Sequence, residues 1–136
     1  MNRYRILAAI IGVVLFAGAC SQGNVFDMAV GECFEEPSSL EFSDVEKIDC
    51  DEPHDNQVFA LYDLAGSSLP SPETMIEGCV DRFGSAIGTS YATTIYYASM
   101  FGPSEQSWDE IDDREVVCYV YIPGEKTVGS ALGSGR

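Results

Sequence analysis

The side chains with chemistry in them crowd into one stretch, Cys50-Asp51-Glu52-Pro53-His54-Asp55-Asn56-Gln57. It holds one of the five cysteines, the single histidine and three carboxylates. A cysteine four residues from a histidine is the material of a thiol nucleophile and its base. His54 among Asp51, Glu52 and Asp55 could also serve as a general base, a pH sensor or a metal ligand, since neighbouring carboxylates favour the imidazolium. A metal centre needs further ligands, and the chain has no second histidine. The preferred reading is structural: the ring bonds backbone at a turn and ties two strands together.

The other acidic concentration is Asp109-Glu110-Ile111-Asp112-Asp113-Arg114-Glu115. Carboxylate oxygens suit calcium, yet the EF-hand spacing and its mid-loop glycine are missing. The loop reads as a solvated acidic surface with Arg114 paired internally, and Asp113 and Arg114 stand with His54, Asp55 and Trp108 as structural or possible ligand positions. Trp108 beside it reads as a lid over the core, and Tyr96 and Tyr97 as core or as the rim of a binding patch. Two carboxylates can cleave a glycan, but among 22 acids some pair falls at any chosen distance by chance. No Gly-x-Ser-x-Gly elbow is present; Gly129-Ser130-Ala131-Leu132-Gly133 has the wrong spacing. No catalytic residue, metal ligand set or cofactor is assigned.

The elements that must position these groups are short. Val25–Phe34 reads as a first strand, and Val45–Cys50 alternates apolar and polar residues as a half-buried strand does. Pro53 keeps Glu52 out of the helical region, His54-Asp55-Asn56 is turn chemistry, and Gln57–Leu64 reads as a strand. Ser71-Pro72 opens the one substantial helix, with serine as N-cap and proline in the first turn. Ile76, Cys79 or Val80, Phe83 and Ile87 then recur at helical spacing, and Gly88 stops it. Thr93–Phe101 reads as a strand, Pro103–Trp108 as a helical turn, and Val116–Ile122 as the most hydrophobic strand and the centre of a sheet. The fold class is α+β: a small antiparallel sheet with one main helix packed on it, stapled by two disulfides. One domain is expected over 25–127, followed by a Gly- and Ser-rich flexible tail over 128–136.

Arg3 and Arg5, the uncharged run Ile6–Ala17 and the small residues before Cys20 have the layout of a signal peptide over 1–19. A cysteine directly after the small-residue site resembles a bacterial lipoprotein signal, with Cys20 acylated and 20–24 as a short tether. Cys33, Cys50, Cys79 and Cys118 remain, an even number for an exported domain. Four cysteines allow three connectivities. Cys33 with Cys50 is preferred because they sit at corresponding positions on neighbouring strands, and Cys79 with Cys118 because a helix face meets a central strand.

Without Arg3 and Arg5, five basic residues face 22 acidic ones, a net charge of −17. That excludes nucleic-acid binding through phosphates, which needs a basic footprint. It also repels anionic headgroups, while a four-residue tether reaches only about 14 Å. Cations or a basic protein partner would relieve the conflict.

The ordered set Val30-Gly31-Glu32-Cys33-Phe34, Cys50-x-x-Pro53-His54-Asp55, Val58-Phe59-Ala60, Cys79 and Phe83 resembles the septum-formation domain of actinobacterial envelope proteins. The pattern continues through Pro103, Trp108, Asp113-Arg114, Val117-x-Tyr119 around Cys118, and Gly129-Ser130. Family members usually read Gly-Asp-Arg where this chain has Asp112-Asp113-Arg114, and Glu-Val where it has Gln57-Val58. The resemblance implies an extracytoplasmic domain behind a lipoprotein signal or a membrane helix, in the context of septum formation, and carries over no catalytic residues. Taken together, the expectation is a non-enzymatic accessory protein on the outer face of the cytoplasmic membrane. It would be held there by lipid and would present an acidic surface to an envelope protein partner. The alternatives are a cation- or small-ligand-binding module using His54 and the acidic loop, and a cell-wall hydrolase.

Overall fold

The computed structural model describes residues 22–24, 27–39 and 44–136. Cys20 and the expected signal peptide over 1–19 lie outside the described residues. Six strands run as β1 (Gln22–Asn24), β2 (Cys33–Phe34), β3 (Asp44–Ile48), β4 (Asn56–Asp63), β5 (Tyr97–Phe101) and β6 (Glu115–Tyr121). They pair antiparallel in the order β1-β3-β2-β4-β6-β5. One long helix, α1 (Pro72–Ile87), and one short helix, α2 (Glu105–Glu110), complete the domain. This is the expected α+β fold with both preferred disulfides, Cys33–Cys50 and Cys79–Cys118.

Helix α1 forms where its caps say it should. The Ser71 hydroxyl accepts the Thr74 N–H, Pro72 takes the first helical position, and Gly88 closes the helix at φ 89°. Its buried stripe is Met75, Cys79, Phe83 and Ile87. These pack on the inward residues of β6, Val116, Cys118 and Val120, with Phe59 meeting Phe83 edge-on at 5.6 Å. Strand β4 carries a bulge between Val58 and Ala60, so Phe59 and Ala60 both join the helix-side core. Cys79–Cys118 bolts α1 to the sheet inside that core. Closing a 39-residue separation is worth about 4 kcal/mol in the chain-entropy model.

The opposite face of the sheet carries a second, smaller core of Met28, Phe34, Val45, Val58 and Val117. Phe101 and Tyr119 pack against it. Strict alternation along β6 sends Val117 and Tyr119 to this side, and Tyr121 follows two residues on.

Four expectations need correction. The single first strand is broken: Gly31 sits at φ 96°, its N–H donates to Val58 O, and only Cys33–Phe34 beyond it pairs as strand. Pairing on the fifth strand starts at Tyr97 rather than Thr93, because Thr93 N–H closes a turn on Ser90 O. The expected flexible tail, 128–136, is packed against the domain. Gly129 N–H donates to Cys50 O at 2.6 Å, and Gly133 and Gly135 N–H donate to Ala86 O and Ile87 O. The last two carbonyls belong to the end of α1, where an α-helix has no internal donors left. The tail therefore completes the helix. A Gly- and Ser-rich composition describes the chain's freedom when alone, and here burial of Ala131 and Leu132 on the helix-side core overrides it. The strand called central, β6, is an interior strand between β4 and β5, with β4 nearer the middle of the sheet.

Candidate functional site

His54 is buried, 1% exposed, and both ring nitrogens are held. Nδ1 donates to Glu52 O at 2.8 Å, and Nε2 lies 3.1 Å from the Thr127 hydroxyl. His54 and Thr127 also exchange both backbone hydrogen bonds, at 3.0 and 2.8 Å. The ring is thus a rivet between the corner before β4 and the segment after β6. Cys50 is in its disulfide, so the two do not form a thiol–imidazole pair.

The acidic loop is likewise occupied by its own structure. The Arg114 guanidinium lies 3.6 Å over the Trp108 ring. It donates to Trp108 O and Asp113 O and pairs with Asp112 at 2.6 Å. Asp113 accepts the Ser107 hydroxyl and the Glu115 N–H. Trp108 is buried beneath the Arg114 guanidinium. Among the described residues no group of three or more His, Cys, Asp or Glu is arranged to hold a metal ion.

Of the residues weighed from sequence as structural or possible ligand positions, Asp55 lines an open cleft on the sheet's second face. The cleft measures about 600 Å³. Tyr119 and Tyr121 from β6 line it, with Glu36, Asn56 and Glu125 beside them. The tyrosines continue an aromatic row, Phe101 to Tyr119 at 4.7 Å, Tyr119 to Tyr121 at 6.5 Å, and Tyr121 to the 55% exposed Tyr97 at 5.9 Å. Burial pushes the Tyr119 phenol above its ordinary range, although hydrogen bonding with Ser99 opposes the shift. It remains a neutral hydroxyl at physiological pH.

At one rim, Lys126 pairs with Glu35 and reaches Asp55 Oδ2 at 3.1 Å. The same Asp55 oxygen accepts the Glu36 N–H at 2.9 Å. Burial raises the affinity of Asp55 for a proton, but hydrogen bonding with Glu35, Glu36 N–H and Lys126 outweighs it and leaves the carboxyl below its ordinary range. Deeper in, Asn56 is 1% exposed; its Nδ2 donates to Glu36 Oε2 at 3.1 Å. Its Oδ1 is buried and meets no donor among the described residues. The cleft thus offers acceptors and aromatic faces in excess of donors, a lining matched to a donor-rich, positively charged group.

Sequence reasoning named Asn56, Gln57 and Tyr119 within their motifs without giving them a site role, and gave none to Tyr121. A weak signal was present for the tyrosines: two of them at i, i+2 on an otherwise aliphatic strand must share one sheet face. Gln57 proves to be a buried hub. Its Nε2 donates to Gly31 O and Ser130 Oγ, and its Oε1 accepts the Ala131 N–H at 2.7 Å. Comparison with protein-family models, with curated proteins and with solved structures returns no match.

Proposed function

We propose that the chain is a non-enzymatic accessory protein of the cell envelope, exported and anchored through lipid on Cys20, which docks a basic envelope protein on its acidic surface. The observation that carries this reading is the disposition of charge. Of the five basic residues beyond Arg5, four are engaged internally. Lys47 pairs with Glu32, Arg114 with Asp112, and Lys126 with Glu35 and Asp55, while Arg82 lies over Tyr62. Among the described residues these cations pair with Glu32, Glu35, Asp55 and Asp112, while Asp49, Asp51, Glu52, Asp63, Glu73, Glu77 and Asp81 are exposed, and a complementary partner is attracted and steered by such a field.

Two further points support it. Cys33, Cys50, Cys79 and Cys118 satisfy one another, as suits an oxidising compartment, and this leaves Cys20 outside the disulfide scheme. His54, the one candidate base by type, is buried in structural contacts. The resemblance to the septum-formation domain suggests division as the process served. Cys20→Ala should move the protein from the membrane to the soluble fraction. A photo-crosslinker at exposed Tyr97 should capture a basic envelope protein in intact cells. Retention in the membrane would contradict the anchor, and capture of acidic or neutral proteins only would contradict the charge argument.

A further inference from the structure

We propose that the Tyr119–Tyr121 cleft binds the cationic side chain of a partner peptide, with Asn56 Oδ1 as its buried acceptor, Glu36 and Glu125 as counter-charges and the two tyrosine rings as its floor. The inference deepens the reading above, and rests on it for the partner being a protein.

The first argument is the unmatched acceptor. A carboxamide oxygen removed from water and left without a donor is unfavourable, and native interiors rarely keep one. The ladder does not require it: Asn56 begins β4, and its backbone pairs with Phe34 and Tyr121 whatever its side chain, whose one hydrogen bond inside the fold, to Glu36, uses the nitrogen and leaves the oxygen over. An N–H donor from a ligand completes it. Anionic ligands are disfavoured, since they bring further acceptors to Glu36, Asp55 and Glu125, and the one cation lining the cleft, Lys126, is already paired with Glu35 and Asp55.

The second argument is that the molecule already displays this recognition with its own cations. Lys126 seats an ammonium between Glu35 and Asp55 at the rim. Arg114 over Trp108 and Arg82 over Tyr62 show guanidinium groups on aromatic faces at 3.6 and 4.1 Å. Tyr119 and Tyr121 line the cleft with carboxylates beside them and carry no such cation from the described residues. A volume of about 600 Å³ admits one long side chain with its flanking backbone.

The test is calorimetric titration of the full chain, in neutral detergent, with acetyl-Gly-Lys-Gly-amide and acetyl-Gly-Arg-Gly-amide. The controls are the Nε-acetyllysine peptide and a neutral N-acetylglucosamine oligomer. Saturable binding of either cationic peptide is expected, with at least a tenfold loss on lysine acetylation. Asn56→Leu, Glu36→Gln and Tyr121→Leu should each weaken binding threefold or more, and Glu36→Gln and Tyr121→Leu guard against loss of fold at the buried site. Equal affinity for the acetylated peptide, indifference to all three substitutions, or binding of the glycan in preference would overturn the proposal. Capture of a basic partner in cells that persists in the Glu36→Gln/Tyr121→Leu protein leaves the accessory-protein reading standing and removes this site. Peptide binding in vitro with no cellular partner does the reverse.

Discussion

Asn56 and Glu36 meet at the wall of the cleft, where the amide donates to the carboxylate at 3.1 Å while its carbonyl oxygen stays buried and unmatched. The next residue, Gln57, is buried to the same degree and has every polar atom engaged. Adjacent side chains on one strand thus divide the work: Gln57, on the side of the tail, holds the fold, and Asn56, on the side of the cleft, is left with capacity for a ligand.

Gln57→Ala removes the partner of Ala131 N–H, a contact 74 positions away in sequence, together with those of Gly31 O and Ser130. Loss of about 2–4 kcal/mol is expected, from several buried groups losing partners at once. Hydrogen exchange should show the Ala131, Gly133 and Gly135 amides losing protection first. A tail that stays protected would contradict the clamp.

Gly78 lies in the middle of α1, where alanine would ordinarily stabilise a helix by ~1 kcal/mol. A Cβ there would fall 2.4 Å from the Tyr62 hydroxyl oxygen and 2.6 Å from its ring. The ring must move, and the hydrogen bond from Tyr62 Oη to Met75 O is lost with it. Gly78→Ala should therefore lower stability by about 1–2 kcal/mol, measured by urea unfolding, against the direction of helix propensity.

Glu115 stands directly across the ladder from Asp63. Burial raises its carboxyl above the ordinary range, and the charges of Asp63 and Asp113 add to the shift. The folded state holds this proton more tightly than the unfolded chain, so ionisation costs stability as pH rises through the raised value. Glu115→Gln should stabilise at pH 7 by about 0.2–1 kcal/mol, the usual range for a like-charge cross-strand pair. The gain should vanish near pH 3, where both forms are neutral.

Asp55 and Lys126 predict the opposite profile at the cleft rim. Asp55 is held below its ordinary 3.8 and Lys126, hydrogen-bonded first to Glu35 and then to Asp55, above its ordinary 10.5. The depressed carboxyl stabilises fully above its unfolded value and loses that contribution as pH falls through the folded one. The raised ammonium stabilises fully below its unfolded value and loses that contribution as pH rises through the folded one. The pair should support the rim from about pH 4 to about pH 10. Lys126→Met should lower the unfolding midpoint within that window and leave it unchanged at pH 2.

The fold was legible wherever short-range chemistry decides it. Ser71 and Gly88 bracket α1 as their types require, and the alternation of β6 sends Cys118 towards Cys79. The tail was illegible because its order depends on Gln57 and on carbonyls at the end of α1, partners that sequence distance conceals. The cleft was illegible for the same reason. Glu36, Asn56, Tyr119 and Glu125 come from separate segments, and sheet pairing alone brings them together. His54 drew attention by rarity, whereas burial and two structural contacts explain it. Asp112 adopts φ 57°, a left-handed conformation that aspartate tolerates and its contact with Arg114 supports.

The most direct measurement follows the Asn56 side-chain amide by NMR while the protein is titrated with Nα-acetyl-lysine methylamide. Saturable shifts of the Asn56 carboxamide and of the Tyr119 and Tyr121 rings are expected, absent when the ligand's ε-amine is acetylated. Shifts confined to exposed acids, reproduced by equal ionic strength of simple salt while Asn56 stays still, would contradict the cleft as a cation site.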